Sequence, residues 1–187
     1  MRGQAPVTAG ANDAPEAAAQ PESVVKGEAG RKVYPTIPHA TPETIVIWCA
    51  DARIQEGVHK FLLEEKGLDP GDYLPFVFPG GIAPSFDPLG NPKEAWFFVR
   101  TIRFYLTHFS SIKKIIAINH EDCARYRALI DLMGRSRIRS VLEHQHVDLK
   151  KLSAWLTTQV PNLPKIEGYY AKFANPEHTL LEFEQIV

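Results

Sequence analysis

Hydrophobic residues in this chain form short continuous runs that alternate with segments of helical spacing. The runs at 44–48 and 114–119 are rich in β-branched residues, a pattern typical of strands that are buried on both faces. Segment 54–66 instead spaces its apolar side chains as one face of a helix does, and Gly67 supplies a stop. Along the whole chain, the pattern predicts strands at 44–48, 73–78, 114–119, 165–173 and 179–186, and helices at 54–66, 93–109, 123–133 and 137–160.

This alternation of strands and helices predicts the fold class. It favours an α/β domain with a mainly parallel central sheet flanked by helices. In such sheets, ligands bind beyond the carboxyl ends of the strands, where the strand order switches direction. The helix at 93–109 is apolar on most sides, so it is expected to be largely buried. It has more hydrophobic surface than one small sheet covers, which favours packing against a second copy of the chain.

The N-terminal part of the chain has a different composition. Residues 1–39 are rich in Ala, Pro, Glu and Gly and contain no Leu, Phe or Trp. Such a segment buries too little apolar surface to offset its ordering entropy. We therefore predict a flexible, extended N-terminal tail at 1–40 and one catalytic α/β domain at 41–187.

Charge and hydropathy exclude several classes of partner. The chain carries 21 basic and 22 acidic residues, so its formal net charge of -1 gives no reason to expect nucleic acid or an anionic membrane. We interpret Arg135, Arg137 and Arg139 as a solvated helix start. Arg100 and Arg103 interrupt the longest apolar stretch, which is too short to span a bilayer. No apolar segment typical of a secretory signal begins the chain, so a cytoplasmic location is expected.

The candidate chemistry involves the two cysteines of the chain, Cys49 and Cys123. Cys49 directly follows one predicted strand, and His120 and Cys123 follow another. If those strands are parallel neighbours, the three side chains emerge at the same edge of the sheet. Two thiolates and an imidazole are zinc ligands, and three protein ligands leave a fourth position for water. The alternative is two buried structural cysteines beside an unrelated histidine.

An acid and a base lie close to Cys49 in sequence. Arg53 can hold the carboxylate of Asp51 in a bidentate pair, which would lower the pKa of Asp51 and keep it ionised. An ionised Asp51 beside a metal-bound water would accept its hydrogen bond. The alternative is an ordinary ion pair at a helix start.

These residues resemble two signatures of the β-class carbonic anhydrases. Cys49-Ala50-Asp51-Ala52-Arg53 resembles the family's Cys-x-Asp-x-Arg motif, and His120-Glu121-Asp122-Cys123 resembles its His-x-x-Cys motif. The resemblance implies one zinc ion per chain. It makes Cys49, His120 and Cys123 the metal ligands, Asp51 and Arg53 the catalytic dyad, and Gly80 and Gly81 the substrate-binding residues.

The function implied by the resemblance is hydration of carbon dioxide to bicarbonate and a proton, by a zinc-bound hydroxide that the Asp-Arg dyad orients. It also implies a homodimer or a higher multiple of dimers. Phe76, Phe78 or Ile82 are candidates for an apolar wall behind the substrate. Two thiolates donate more charge than neutral histidines do, so activity is expected to favour alkaline pH.

The sequence also departs from the family pattern, and the departures leave other functions open. Asn119 and Ala124 occupy positions where the family usually has glycine, and the run Val77-Phe78-Pro79 replaces a polar loop. The apolar run would suit a zinc hydrolase of carbonyl sulfide or carbon disulfide on the same fold. The altered glycines would suit a non-catalytic subunit that contains zinc.

Overall fold

The computed structural model of the protein describes residues 25–26, 32–86, 92–133 and 140–187. Most of the predicted tail and the three arginines at 135, 137 and 139 lie outside these residues. The chain divides into two units, Met1–Thr36 and Ile37–Val187. In the first unit, β1 (Val25–Lys26) pairs antiparallel with β2 (Lys32–Val33).

The second unit is built on one five-stranded sheet, in the order β4-β3-β5-β6-β7. All neighbouring strands are parallel except β6 and β7, which confirms the predicted α/β class with a mainly parallel sheet. Among the described residues, no helix is both long and apolar enough to cross a membrane. The strands are β3 (Thr44–Cys49), β4 (Tyr73–Phe78), β5 (Lys114–His120), β6 (Lys165–Phe173) and β7 (Leu181–Gln185), and the helices are α1 (Gln55–Glu64), α2 (Pro92–His108), α3 (Ala124–Met133) and α4 (Val141–Gln159).

The sheet is buried on both faces because successive side chains of each strand point in opposite directions. Val46 and Trp48 of β3 pack in a core cluster with residues of α1 and α3. Ile45 and Ile47 of the same strand pack in a second cluster with residues of α2 and α4. A strand that is apolar at every position therefore serves two helical layers, which explains why the runs of β3 and β5 do not alternate with polar residues.

The strand order has its switch point between β3 and β5. The chain leaves β3 toward β4 on one side of the sheet and then crosses to β5 on the other side. The carboxyl ends of β3 and β5 are therefore the place where a ligand is expected to bind in a doubly wound sheet. Cys49 is the last residue of β3 and His120 is the last residue of β5.

The expectation that the 93–109 helix is largely buried is wrong. In α2, the buried side chains are those of Phe98 and Ile102, whereas Trp96, Phe97 and Phe104 are exposed. A helix that lies on the outside of a sheet contacts it mainly through one stripe of residues spaced four apart. Val99, Tyr105 and Leu106 are partly buried beside that stripe, whereas Trp96, Phe97 and Phe104 stay exposed in the described structure.

Candidate metal centre

Three possible metal-donor atoms meet at the carboxyl ends of β3 and β5. The donor atoms of Cys49, His120 and Cys123 all lie within 4.8 Å of one another. The three residues are only 6%, 1% and 2% exposed. Tetrahedral zinc at about 2.0–2.3 Å from each ligand needs donors about 3.3–3.8 Å apart. The cluster therefore fits such an ion after small side-chain movements.

The two sulfur atoms are surrounded by hydrogen-bond donors. The pKa of Cys49 falls to about 4, chiefly because the Cys123 thiol donates a hydrogen bond to it, with His120 and the Gly80 N–H acting in the same direction and burial opposing them. The Gly80 N–H lies 3.2 Å from Cys49 Sγ. The pKa of Cys123 rises, because its proton is shared with the neighbouring thiolate and because it is buried. Both shifts arise chiefly from the contact between the two sulfurs, a contact that a metal ion bound to both would replace.

Cys123 gains further support from the helix that follows it. It directly precedes α3, and the backbone N–H groups of Arg125 and Tyr126 act to lower its pKa. Free N–H groups at a helix start favour a negative charge. The start of α3 therefore favours the thiolate form that a metal needs.

The orientation of His120 leaves one ring nitrogen available. Its Nδ1 lies 2.7 Å from the carbonyl oxygen of Glu121, and because a carbonyl can only accept, Nδ1 carries the proton. Its Nε2 is buried and has no hydrogen-bond partner in the described part of the chain. A buried, unpaired acceptor is costly unless it binds something. Metal-binding histidines commonly donate their second nitrogen to a backbone carbonyl in this way, so the residues fit a metal ion.

Asp51 and Arg53 form the pair that their spacing predicts. Arg53 Nε lies 3.1 Å and 3.2 Å from the two oxygens of Asp51, and Arg53 Nη2 lies 2.7 Å from Oδ2. Oδ1 also accepts the backbone N–H of Arg53 at 3.0 Å, which caps a short 3-10 turn at Ala52–Ile54. The hydrogen bonds from Arg53 are the main reason that the pKa of Asp51 falls to about 2. Asp51 is thus ionised over the whole physiological range.

Gln55 holds the loop that carries Asp51 and Arg53, a role that the sequence did not reveal. Its amide nitrogen donates to the carbonyl oxygens of Cys49 and Asp51, at 3.0 Å and 2.6 Å. Its amide oxygen accepts the indole N–H of Trp48 at 2.8 Å, which fixes the orientation of the amide since an indole can only donate. The one available signal was a polar residue at the second position of the helix predicted at 54–66, and that signal is not specific.

Asp122 is a second residue that sequence reasoning missed. It lies between His120 and Cys123 and accepts a hydrogen bond from Arg53 Nη1 at 3.2 Å. Its other oxygen lies 2.8 Å from Arg127 Nη1. A charged residue inside the His-x-x-Cys motif was the available signal. Its partner Arg53 is distant in sequence, which no local pattern could indicate.

The glycine pair predicted to bind substrate lies next to the sulfur of Cys49. Gly80 and Gly81 have φ values of 85° and 58°, in the left-handed region that favours glycine. The N–H of Gly80 points to Cys49 Sγ and that of Gly81 to the carbonyl oxygen of Phe78. Both N–H groups are therefore used within the protein, and a substrate contact at this pair stays a prediction.

An apolar wall at Phe76, Phe78 or Ile82 stays a prediction. Phe76 and Ile82 lie in the core cluster of α2 and α4, and Phe78 packs against it. Phe78 is also the register partner of Cys49 in the neighbouring strand. Phe76 and Phe78 are two positions apart in β4 and so share a face, and both contact the ring of Phe97.

A buried polar patch lies behind the candidate metal centre. Asn119 precedes His120 and donates to the hydroxyl of Tyr126 at 3.2 Å. Burial raises the pKa of Asp148 to about 6, opposed by His144, the Tyr126 hydroxyl and Lys151. Among the residues that the structure describes, none forms a hydrogen bond with the side-chain oxygen of Asn119, one oxygen of Asp148 or either polar atom of Gln145. We call Asn119, Tyr126, Asp148 and Gln145 the polar patch. Their exposed fractions are 2%, 0%, 4% and 0%, respectively.

Comparison with solved structures identifies the architecture. The β-carbonic anhydrase isoform I of Trichomonas vaginalis aligns over 83% of this chain and 87% of its own, with a TM-score of 0.51 and 14% identity. A carbonic anhydrase from Streptococcus mutans aligns over 83% and 88%, with a TM-score of 0.46 and 13% identity. No protein-family model and no curated protein sequence matches the chain. The likeness to the Trichomonas vaginalis structure confirms the predicted resemblance at the level of architecture: the domain has the fold of the β-carbonic anhydrases.

Proposed function

We propose that this protein is a zinc-dependent carbonic anhydrase, which converts carbon dioxide and water to bicarbonate and a proton. Cys49, His120 and Cys123 hold one zinc ion per chain in this proposal. The observation that supports it most directly is the buried meeting of their donor atoms within 4.8 Å at the switch point of the sheet. The unpaired Nε2 of His120 adds a second reason, because it needs a partner that the described protein does not provide.

Zinc in such a site supplies Lewis-acid chemistry, lowering the pKa of a coordinated water so that a nucleophile forms near neutral pH. The protein supplies charge and orientation. Cys49 and Cys123 bring two negative charges once both thiols are ionised, and Gly80 and the start of α3 stabilise those charges. The backbone carbonyl of Glu121 holds the ring of His120 in one tautomer.

Asp51 orients the attacking water in this proposal. With a pKa of about 2, its carboxylate can accept hydrogen bonds but cannot donate one. A water molecule beside it must therefore direct a hydrogen toward Asp51 and leave an oxygen lone pair for the carbon atom of the substrate. Arg53 binds both oxygens of Asp51, which keeps the carboxylate from turning toward the metal ligands. The group of mutually close donor atoms does not include Asp51, which favours a catalytic site over a non-catalytic zinc subunit.

We keep Gly80 and Gly81 as the proposed substrate-binding residues. Gly80 borders Cys49 Sγ, and neither residue has a side chain that would obstruct a small molecule. The hydrolysis of carbonyl sulfide or carbon disulfide is the alternative, because Phe78 of the apolar run is the strand partner of Cys49 and would suit a less polar substrate.

We further propose that the protein works in the cytoplasm as a homodimer or a multiple of dimers. The exposed aromatic side chains of α2 support the oligomer, because Trp96, Phe97 and Phe104 are 60%, 47% and 52% exposed within one chain. Light scattering coupled to size exclusion should give at least twice the chain mass, and a monomer at micromolar concentration would contradict this part of the proposal.

The experiment that tests the function combines metal analysis with two assays. Protein purified with zinc should contain about one zinc per chain and hydrate carbon dioxide in stopped flow. Sulfide release from carbonyl sulfide and carbon disulfide should be measured on the same preparation. A fully zinc-loaded protein that releases sulfide but does not hydrate carbon dioxide would replace the proposed function with the alternative.

A further inference from the structure

We propose that Asp122 is a positioning residue that holds Arg53 in place, so that Arg53 in turn holds Asp51. This inference rests on the proposed function, in which Asp51 orients water. It assigns a role to a residue that lies inside the second metal motif but donates no atom to the metal cluster.

The guanidinium of Arg53 lies between two carboxylates. Nε and Nη2 point to Asp51, while Nη1 lies 3.2 Å from Asp122 Oδ2 and Nη2 lies 3.4 Å from the carbonyl oxygen of Asp122. The ring of Phe173 covers the flat face of the guanidinium, with its centroid 5.2 Å from Arg53 Cζ. Arginine has a rigid planar fork, so fixing one edge of the guanidinium fixes the direction of the other.

This contact joins the two motifs, which are far apart in sequence. Asp51 and Arg53 follow β3, whereas Asp122 follows β5. Without the Asp122 carboxylate, no side chain of the second motif would bond the Arg53 guanidinium, which would then be held by Asp51 and the ring of Phe173. The contact with Asp122 ties the pair to the loop that carries His120 and Cys123.

Two features make Asp122 suited to this role. Its φ of 59° turns the chain between His120 and Cys123, a conformation that aspartate adopts more readily than most residues. Its second oxygen binds Arg127 at 2.8 Å, so the carboxylate itself is fixed from both sides. Exposed ion pairs usually contribute little, but a network in which one carboxylate bridges two arginines is an exception. The side chains of Arg53 and Asp122 are 39% and 33% exposed, so the role claimed for Asp122 is orientation and not stability.

Two variants distinguish this positioning role from a role in forming the turn alone. Asp122→Gly removes the carboxylate and keeps the left-handed backbone, since glycine adopts positive φ without strain. Asp122→Asn keeps that backbone and one neutral acceptor oxygen. Both should retain the zinc content of the unmodified protein. In carbon dioxide hydration, Asp122→Gly should lower kcat about tenfold with KM unchanged, and Asp122→Asn should recover most of that loss. Arg127→Ala is the graded comparison: it frees one side of the Asp122 carboxylate but leaves the Arg53 contact in place, so it should lower kcat by less than Asp122→Gly does.

A double-mutant cycle tests the route of the effect. In an Asp51→Asn background, Asp122→Gly should have almost no further effect on kcat, because Arg53 then has no charged carboxylate to orient. An equal tenfold loss in both backgrounds would show that Asp122 acts by another route and would overturn the proposal.

A readout that does not depend on activity distinguishes this proposal from the proposed function. In ¹⁵N NMR spectra, the Nε–H signal of Arg53, assigned by its loss in Arg53→Lys, should exchange with water about fivefold faster in Asp122→Gly than in the unmodified protein. Unchanged exchange would overturn the positioning role even if carbon dioxide is hydrated. Faster exchange in a protein that lacks hydration activity would support the positioning of Arg53 and refute the proposed function.

Discussion

The candidate metal centre and the polar patch behind it are both buried, yet they differ in how many of their polar atoms have hydrogen-bond partners. Around Cys49, His120 and Cys123, each donor atom other than Nε2 of His120 lies within reach of a backbone or side-chain partner. In the polar patch, both polar side-chain atoms of Gln145 and one oxygen of Asp148 have no hydrogen-bond partner in the described structure, and His144 Nε2 lies 3.7 Å from that oxygen. Burial alone therefore does not mark a functional site.

The difference teaches what a prepared site requires. An unpaired buried polar atom costs about 1–3 kcal/mol, so one that remains needs a ligand to compensate for it or another reason to be there. At the metal centre, the unpaired nitrogen lies with two sulfurs that a single cation would satisfy together. In the polar patch, the unpaired atoms belong to neutral amides and one carboxylate with a raised pKa, a set that contains no thiolate or imidazole donor.

The largest expected effect comes from removing a sulfur of the centre. Cys123→Ser should lower zinc affinity by more than about 100-fold. This exceeds the usual loss when a residue that only hydrogen-bonds to a metal ligand is changed. Zinc content after dialysis against a weak chelator measures this directly. Gln145→Leu is the matched control, because it alters the polar patch and should leave zinc content unchanged. Equal zinc loss in both variants would remove the distinction between the two regions.

Asp51→Asn should have the next largest effect. The amide keeps the size of the side chain but loses the negative charge, so zinc should stay bound. The kcat should fall about 100-fold, the lower end of the contribution of general acid–base groups. Stopped-flow hydration at equal zinc loading measures the change. Full activity in this variant would contradict the orienting role of Asp51.

The polar patch should instead affect how stability depends on pH. The ordinary pKa of an aspartate is 3.8, whereas the pKa of Asp148 in the folded protein is about 6, so the folded state binds this proton more tightly than the unfolded state. This contribution is fully present below pH 3.8 and is lost as pH rises through about 6. It amounts to at most about 3 kcal/mol.

Chemical denaturation from pH 4 to 8 checks that expectation. Asp148→Asn should remove the decline of the unfolding free energy between pH 4 and 6.5 while leaving zinc content intact. His144 is the titratable neighbour on the same helix, so His144→Gln serves as the control for its own ionisation. A decline of the same size in Asp148→Asn would assign the pH dependence to another group.

The smallest expected effect is at the turn that contacts Cys49. Gly80 has a φ of 85°, and an added Cβ would lie 2.6 Å from Arg125 Cγ. Gly80→Ala should therefore reduce the unfolding free energy by about 1–2 kcal/mol, the cost of a left-handed residue with a side chain. Gly67→Ala is the control, because its φ of 62° carries similar strain while an added Cβ would meet nothing. A larger loss of zinc affinity in Gly80→Ala than in Gly67→Ala would indicate that the Gly80 N–H supports the thiolate.

The sequence was sufficient for the positions of Cys49 and His120 because both depend on strands whose apolar runs are unambiguous. It also predicted the pair of Asp51 and Arg53, whose partners are two residues apart. It did not predict the clamp by Gln55 or the bridge by Asp122, because a polar side chain near several acceptors has no pattern that specifies its partner. The expected burial of α2 was wrong for a related reason. Apolar character shows that a residue seeks cover, while the tertiary structure decides on which face it finds that cover.

Carbon dioxide hydration by protein with quantified zinc, followed across pH, tests the central claim most directly. If Cys49, His120 and Cys123 hold a catalytic ion, about one zinc per chain should be bound. The rate should then be proportional to zinc content and should increase toward alkaline pH. Zinc bound at one ion per chain with no hydration at any pH, or hydration that persists after the metal is removed, would contradict the account.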